Sequence, residues 1–179
     1  MSEAKPSLDD GTLEFAERVF DAARQGDGEQ LAQWLENGLP ATLRNAKGDS
    51  LLMLASYYGH GEAAKVLLQH GADAQTPNGR GQTPLAGAAF KGDLEMTRLL
   101  LDHGAQVDGP SPDGRTPLMF AAMFNRTDIV ALLLERGAHI QQTDHQGTTA
   151  LACATAMNAH DAVALLQQRL QAQAGSESI

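Results

Sequence analysis

The chain has 179 residues, with one cysteine, eight aromatic residues and no long apolar run, and each scarcity closes off a class of protein. A lone thiol, Cys153, forms no internal disulfide, and its setting among small residues suits a buried, inert side chain better than a nucleophile. No stretch approaches 18 uninterrupted apolar residues, and the opening MSEAKPSLDDGT lacks the apolar centre of a secretory signal. Neither membrane spanning nor export is therefore expected, and the expected compartment is the cytoplasm. The 13 basic residues form no run and are outnumbered by 22 acidic ones, for a net charge of −9. That balance argues against nucleic acid or an anionic membrane as partner and favours a basic or neutral patch on another protein.

Chemistry-bearing spacings are missing as well. There is no C-x-x-C, no H-E-x-x-H, no phosphate-cradling glycine loop and no nucleophile elbow. His70 and His103 stand one repeat interval apart and would stack as neighbours, but no cysteine or acid joins them at ligand spacing, which leaves a structural or solvated role. His139, His145 and His160 read as exposed. No catalytic residue, metal ligand or cofactor is expected, and the chain reads as a non-enzyme.

What the sequence has in abundance is glycine in register. Gly48, Gly81, Gly114 and Gly147 recur every 33 residues, and Gly38, Gly71, Gly104 and Gly137 keep the same interval. A fixed period of this size marks one supersecondary unit repeated, with a core made of neighbour contacts. The second row follows apolar runs such as VLLQH, LLLDH and LLLER, where a helix stops on a left-handed residue. Ser50, Thr83, Thr116 and Thr149 come two residues after the first row and suit the N-cap of a new helix, with Pro84 and Pro117 at its first position. A third row, Gly26, Gly59, Gly92, Asn125 and Asn158, splits each unit into two short helices. Three residues later an acid recurs at Glu29, Glu62, Glu95, Asp128 and Asp161, where it complements the helix dipole; these acids read as structural.

GQTPLAGAA at 81–89 and GRTPLMFAA at 114–122 resemble the Thr-Pro-Leu-His-x-Ala signature of ankyrin repeats, with weaker copies at 47–56 and 146–155. The resemblance covers about residues 14–172 and implies an all-α solenoid of stacked helix-turn-helix units joined by short hairpin-like loops near 39–49, 72–82, 105–115 and 138–148. The signature histidine is replaced by Met53, Ala86, Met119 and Ala152, while His60 keeps the family's histidine beside the inter-helix glycine, a local hydrogen-bonding role. Trp34, Leu67, Leu100, Leu133 and Leu166 form one apolar column through five units. The expected organisation is a disordered segment at 1–11, a single domain at 12–172 and a flexible tail at 173–179. Its repeats fall at about 12–45, 46–78, 79–111, 112–144 and 145–172. The first unit, with Leu13, Phe15, Ala16, Val19 and Phe20, reads as an N-terminal cap, and the last, with Gln167 in place of a leucine, as a polar C-terminal cap.

The resemblance further implies a binding face made by the hairpin tips and the ends of the inner helices. Those ends carry Tyr57 and Tyr58, Phe90 and Lys91, Met123 and Phe124, and Ala156 and Met157, a ladder that holds four of the eight aromatics. Exposed aromatics and methionines anchor protein partners, and the second member of each pair is expected to be the more exposed. Packing of one member beneath the hairpins is the competing account. The hairpins add a mixed rim of Lys47 and Asp49, Arg80 and Gln82, Asp113 and Arg115, and His145 and Thr148. The expected function is a protein-interaction module, adaptor or regulator, with an unknown protein partner. An enzyme or small-ligand protein using a pocket in the groove is the alternative. Self-association runs against the polar end caps, so a monomer is expected.

Overall fold

The computed structural model of the protein describes residues 10–176. Within them the chain forms ten helices: α1 (Asp10–Gln25), α2 (Gly28–Glu36), α3 (Leu51–Tyr57), α4 (Gly61–Gln69), α5 (Pro84–Lys91), α6 (Leu94–Asp102), α7 (Pro117–Met123), α8 (Thr127–Glu135), α9 (Ala150–Ala156) and α10 (His160–Ser176). Extended pairing among the described residues is confined to two isolated bridges, Arg44 with Ser50 and Thr143 with Thr149. The expected all-α solenoid is therefore the observed one.

Local chemistry sets the helix ends. Ser50, Thr83, Thr116 and Thr149 each accept a hydrogen bond from the backbone N–H three residues on, at 3.0, 3.2, 3.4 and 3.2 Å. Such a cap contributes about 1 kcal/mol, which matters for inner helices only seven or eight residues long. At the far end of the outer helices, the N–H groups of Leu39, Ala72, Ala105 and Ala138 reach back to the carbonyls of Trp34, Leu67, Leu100 and Leu133, all at 2.9 Å. This six-to-one bond requires the left-handed residue just before it, and Gly38, Gly71, Gly104 and Gly137 supply φ values of 87–94°.

Odd-numbered helices stack on one another as an inner layer and even-numbered helices as an outer one, with the main contacts among the described residues running between neighbouring units. Leu67, Leu100, Leu133 and Leu166 are fully buried in the outer column, whereas Trp34, expected as its first member, is only half-buried. Among the described residues no preceding unit covers it. Phe15 instead meets its ring edge-on at 5.4 Å and the Arg18 guanidinium lies over its face. Of the apolar residues expected to form the N-terminal cap, Val19 and Phe20 are buried, but Leu13 and Phe15 remain exposed for the same reason. At the other end Gln167 is exposed, in place of Leu68 on the interior of the second unit.

Both terminal segments reach into the array. Helix α1 starts at Asp10 and α10 runs to Ser176, so residues 10–11 and 173–176, expected as disordered or flexible, are helical. The Gln-Ala-Gln-Ala stretch after Leu170 holds good helix formers and no breaker until Gly175, so the last helix propagates. Residues 1–9 and 177–179 of those segments lie outside the described residues.

Candidate functional site

A row of residues that the repeat reading passes over holds the hairpins in shape. Asn45 accepts from the N–H groups of Lys47 and Asp49, both at 2.9 Å. Asn78 does the same for Arg80 and Gln82 at 3.0 Å. Asp144 does it for Gln146 and Thr148 at 2.9 Å. A serine hydroxyl is too short to serve both donors in the remaining hairpin. Ser111 instead donates to the Asp113 carboxylate at 2.6 Å, and Asp113 takes over the N–H of Arg115 at 3.2 Å. The signal was present, since 45, 78, 111 and 144 are spaced by the repeat.

The hairpins stack through their glycines. A Cβ on Gly48 would come 2.8 Å from the backbone nitrogen of Gly79, and one on Gly114 would come 2.9 Å from that of His145. Each hairpin therefore lies flat against the next, and the tips present side chains in rows.

Between those tips and the ends of α1, α3 and α5 runs an open groove of about 430 Å³. It gathers Tyr57, Tyr58, Phe90 and Lys91 from the ladder and Lys47, Asp49, Arg80 and Gln82 from the hairpins. It also gathers residues absent from the expected set, notably Arg24, Met53, Ala86 and Phe120. Arg24 stands one repeat before Tyr57 and was findable by the same arithmetic. Tyr57, Tyr58, Phe90 and Met157 are 55, 51, 48 and 50% exposed, which leaves a large apolar area in solvent. The tyrosine rings meet edge-on at 5.2 Å, and the Lys91 ammonium lies 3.7 Å from the centre of the Tyr57 ring while donating to the Tyr57 carbonyl. The expectation that the second residue of each pair is the more exposed does not hold at the first pair, because Tyr57 and Tyr58 share the surface almost equally. Both stand at the helix terminus, beyond the last turn that α3 packs.

Other expected positions go elsewhere. Met123 and Phe124 are half-buried, and the Phe90 ring meets Phe124 edge-on at 4.7 Å and Phe120 edge-on at 6.5 Å, so the fourth unit buttresses the groove. Met157 lies beyond it, beside the exposed Ala156. Asp113 and Arg115, expected as rim charges, are engaged with each other at 3.4 Å, and Arg115 also faces the buried Asp144 at 3.7 Å. His145 is one residue out of phase with Lys47, Arg80 and Asp113; Gln146 holds that position. The His145 ring and backbone rest instead on Gly114, and its N–H donates to the Asp113 carbonyl at 3.0 Å.

Two carboxyls here sit below the usual carboxylate range. The Ser111 hydroxyl does this for Asp113 against a desolvation penalty, with help from Arg115. For Asp144 the Thr148 N–H dominates over burial, with help from Gln146 and Arg115. Burial pushes the Cys153 thiol up, away from nucleophilic character. The His60 ring bonds the Arg24 carbonyl at 2.8 Å, and His70 and His103 bond the carbonyls of Val66 and Leu99 one turn back at 2.8 and 2.9 Å. His139, expected to be exposed, is exposed, and its ring contacts the Asp108 carboxylate. Among the described residues no three His, Cys, Asp or Glu side chains gather as a metal cluster, and no helix is long and apolar enough to cross a membrane.

Comparison with known proteins agrees with this architecture. A family model described as ankyrin repeats (3 copies) matches residues 19–111 and 104–176. A Pseudomonas aeruginosa protein named as an ankyrin repeat protein is 59% identical over 54 residues, which span 30% of this chain and 32% of that relative. The chain thus aligns with about a third of the relative's length.

Proposed function

We propose, from the premise that the chain belongs to the ankyrin repeat family, that it is a non-catalytic interaction module docking a protein partner along the groove between its hairpins and inner helices. Repeats of this family are in general protein-interaction modules. The observation that carries the proposal here is the cluster of Tyr57, Tyr58 and Phe90, each about half exposed, around one groove. Repeat folding accounts for glycine, threonine, proline and leucine at their fixed positions but requires no large aromatic at the free end of an inner helix. Aromatic anchors in a groove are where protein interfaces concentrate affinity. Lys47, Arg80 and Gln82 then form a rim that steers and selects.

Co-purification with a tagged chain from its own cells tests this. Tyr58→Ala and Phe90→Ala should each weaken capture of the specific partner by about 2 kcal/mol or more. Because half of each ring is already in water, the same changes should cost the fold less than the 3–5 kcal/mol typical of a buried phenylalanine. A large drop in thermal stability with unchanged capture would return the ladder to the core. A small-ligand site is the second reading, supported by a volume within the roughly 300–1,000 Å³ of such sites. It requires that no protein depend on these residues.

A further inference from the structure

The groove is charged against the sign of the whole chain. The chain carries −9, yet the groove is lined by four cations, Arg24, Lys47, Arg80 and Lys91, and one carboxylate, Asp49. Two of the cations already have partners: Arg24 pairs with Asp21, and Lys91 lies against Tyr57. Lys47 and Arg80 are exposed, and among the described residues neither side chain enters an ion pair. They occupy the same tip position in successive hairpins. In the next unit that position is Asp113, bound to Ser111 and Arg115, and after it Gln146. The cationic row thus ends where the groove ends, and it lines the same groove as Tyr58 and Phe90.

Unpaired cations beside exposed aromatic rings match a ligand with an apolar anchor flanked by carboxylates. We propose that the occupant of this groove is an acidic peptide segment of a partner protein, its apolar side chain held among Tyr57, Tyr58 and Phe90 and its carboxylates facing Lys47 and Arg80. This rests on the groove being a protein-docking surface and reverses the basic-partner expectation drawn from net charge. Net charge acts over distances that salt screens, about 8 Å at physiological ionic strength, whereas a docked segment meets only the local field. A nucleic acid strand is disfavoured because its many phosphates extend past the two free cations to Asp113 and the acidic remainder of the chain.

Random 12-residue peptides displayed on phage, selected on the immobilised full chain, test the proposal. Selected sequences should be enriched in Asp and Glu next to an aromatic or large aliphatic residue. A synthetic copy of the strongest should bind roughly tenfold more weakly to the Lys47→Glu, Arg80→Glu double variant and progressively more weakly as salt rises. Both substitutions are at exposed side chains and should leave thermal unfolding unchanged. Selection of neutral or basic peptides, or equal binding to the double variant, overturns the charge assignment while leaving the docking groove intact. Failure to enrich any peptide that depends on Tyr58 removes the docking reading itself and this proposal with it. Charge-dependent binding of oligo(dT) in the same groove overturns it in favour of a nucleic acid.

Discussion

Gly114 and Gly147 occupy the same place in successive hairpins, with φ of +84° and +78°, and they differ in one respect. A Cβ on Gly114 would lie 2.7 Å from His145 Cδ2 and 2.9 Å from the His145 backbone nitrogen, while Gly147, in the last hairpin, has nothing within 4 Å. Gly147→Ala therefore incurs only the left-handed penalty of about 1 kcal/mol. Gly114→Ala incurs that penalty plus overpacking of about 1–3 kcal/mol, because the histidine ring can turn aside but its backbone nitrogen moves only with the whole hairpin. The expected losses are about 1 kcal/mol and about 2–4 kcal/mol, or roughly 2–4 °C in Tm for each kcal/mol. Gly48→Ala controls for position in the array. It lies near the other end but faces the Gly79 backbone nitrogen at 2.8 Å, so it should behave like Gly114→Ala. Urea unfolding followed by circular dichroism and by Trp34 fluorescence measures all three, with coincident transitions as the check on two-state behaviour. Equal losses for Gly114→Ala and Gly147→Ala would show that the hairpins do not stack as described.

Two further outcomes follow from the same structure. Gly104→Val should destabilise far more than Gly28→Val, because Gly104 has φ +87° whereas Gly28 begins α2 and its added Cβ would meet Ala63 at an ordinary 3.6 Å; similar urea midpoints would contradict the helix-stop assignment. The Asp144 carboxyl, held low in the folded state, contributes stability that is present above the ordinary carboxylate pKa of about 3.9 and lost as pH falls through the folded value. Asp144→Asn should keep the turn, as Asn45 and Asn78 do, but lose that charge-dependent part. Its Tm deficit against the natural chain should be largest at pH 7 and shrink toward pH 3, and a deficit independent of pH would refute the assignment.

The sequence by itself determined the fold and most of its punctuation. Helix caps, helix stops and the inter-helix turn are local events within a few residues, so Ser50, Thr83, Gly104 and Asn125 announce them without reference to distant parts of the chain. The 33-residue interval then forces those local units to stack. It also placed Tyr57, Tyr58, Phe90, Lys47 and Arg80 in register, since residues one period apart become neighbours in any such array. What the period does not contain is the state of each position once neighbours arrive. Trp34 keeps the column's phase and is still half-exposed, because among the described residues no unit packs before it. Asp113 and Arg115 keep the rim's phase and are still bound, because Ser111 and Asp144 converge on them from flanking positions. His145 was expected on the hairpin rim, and stacking on Gly114 places it against the preceding hairpin. The sign of the groove was hidden for a similar reason: net charge sums over the whole surface, while only tertiary structure decides which four cations and which single acid face the same space.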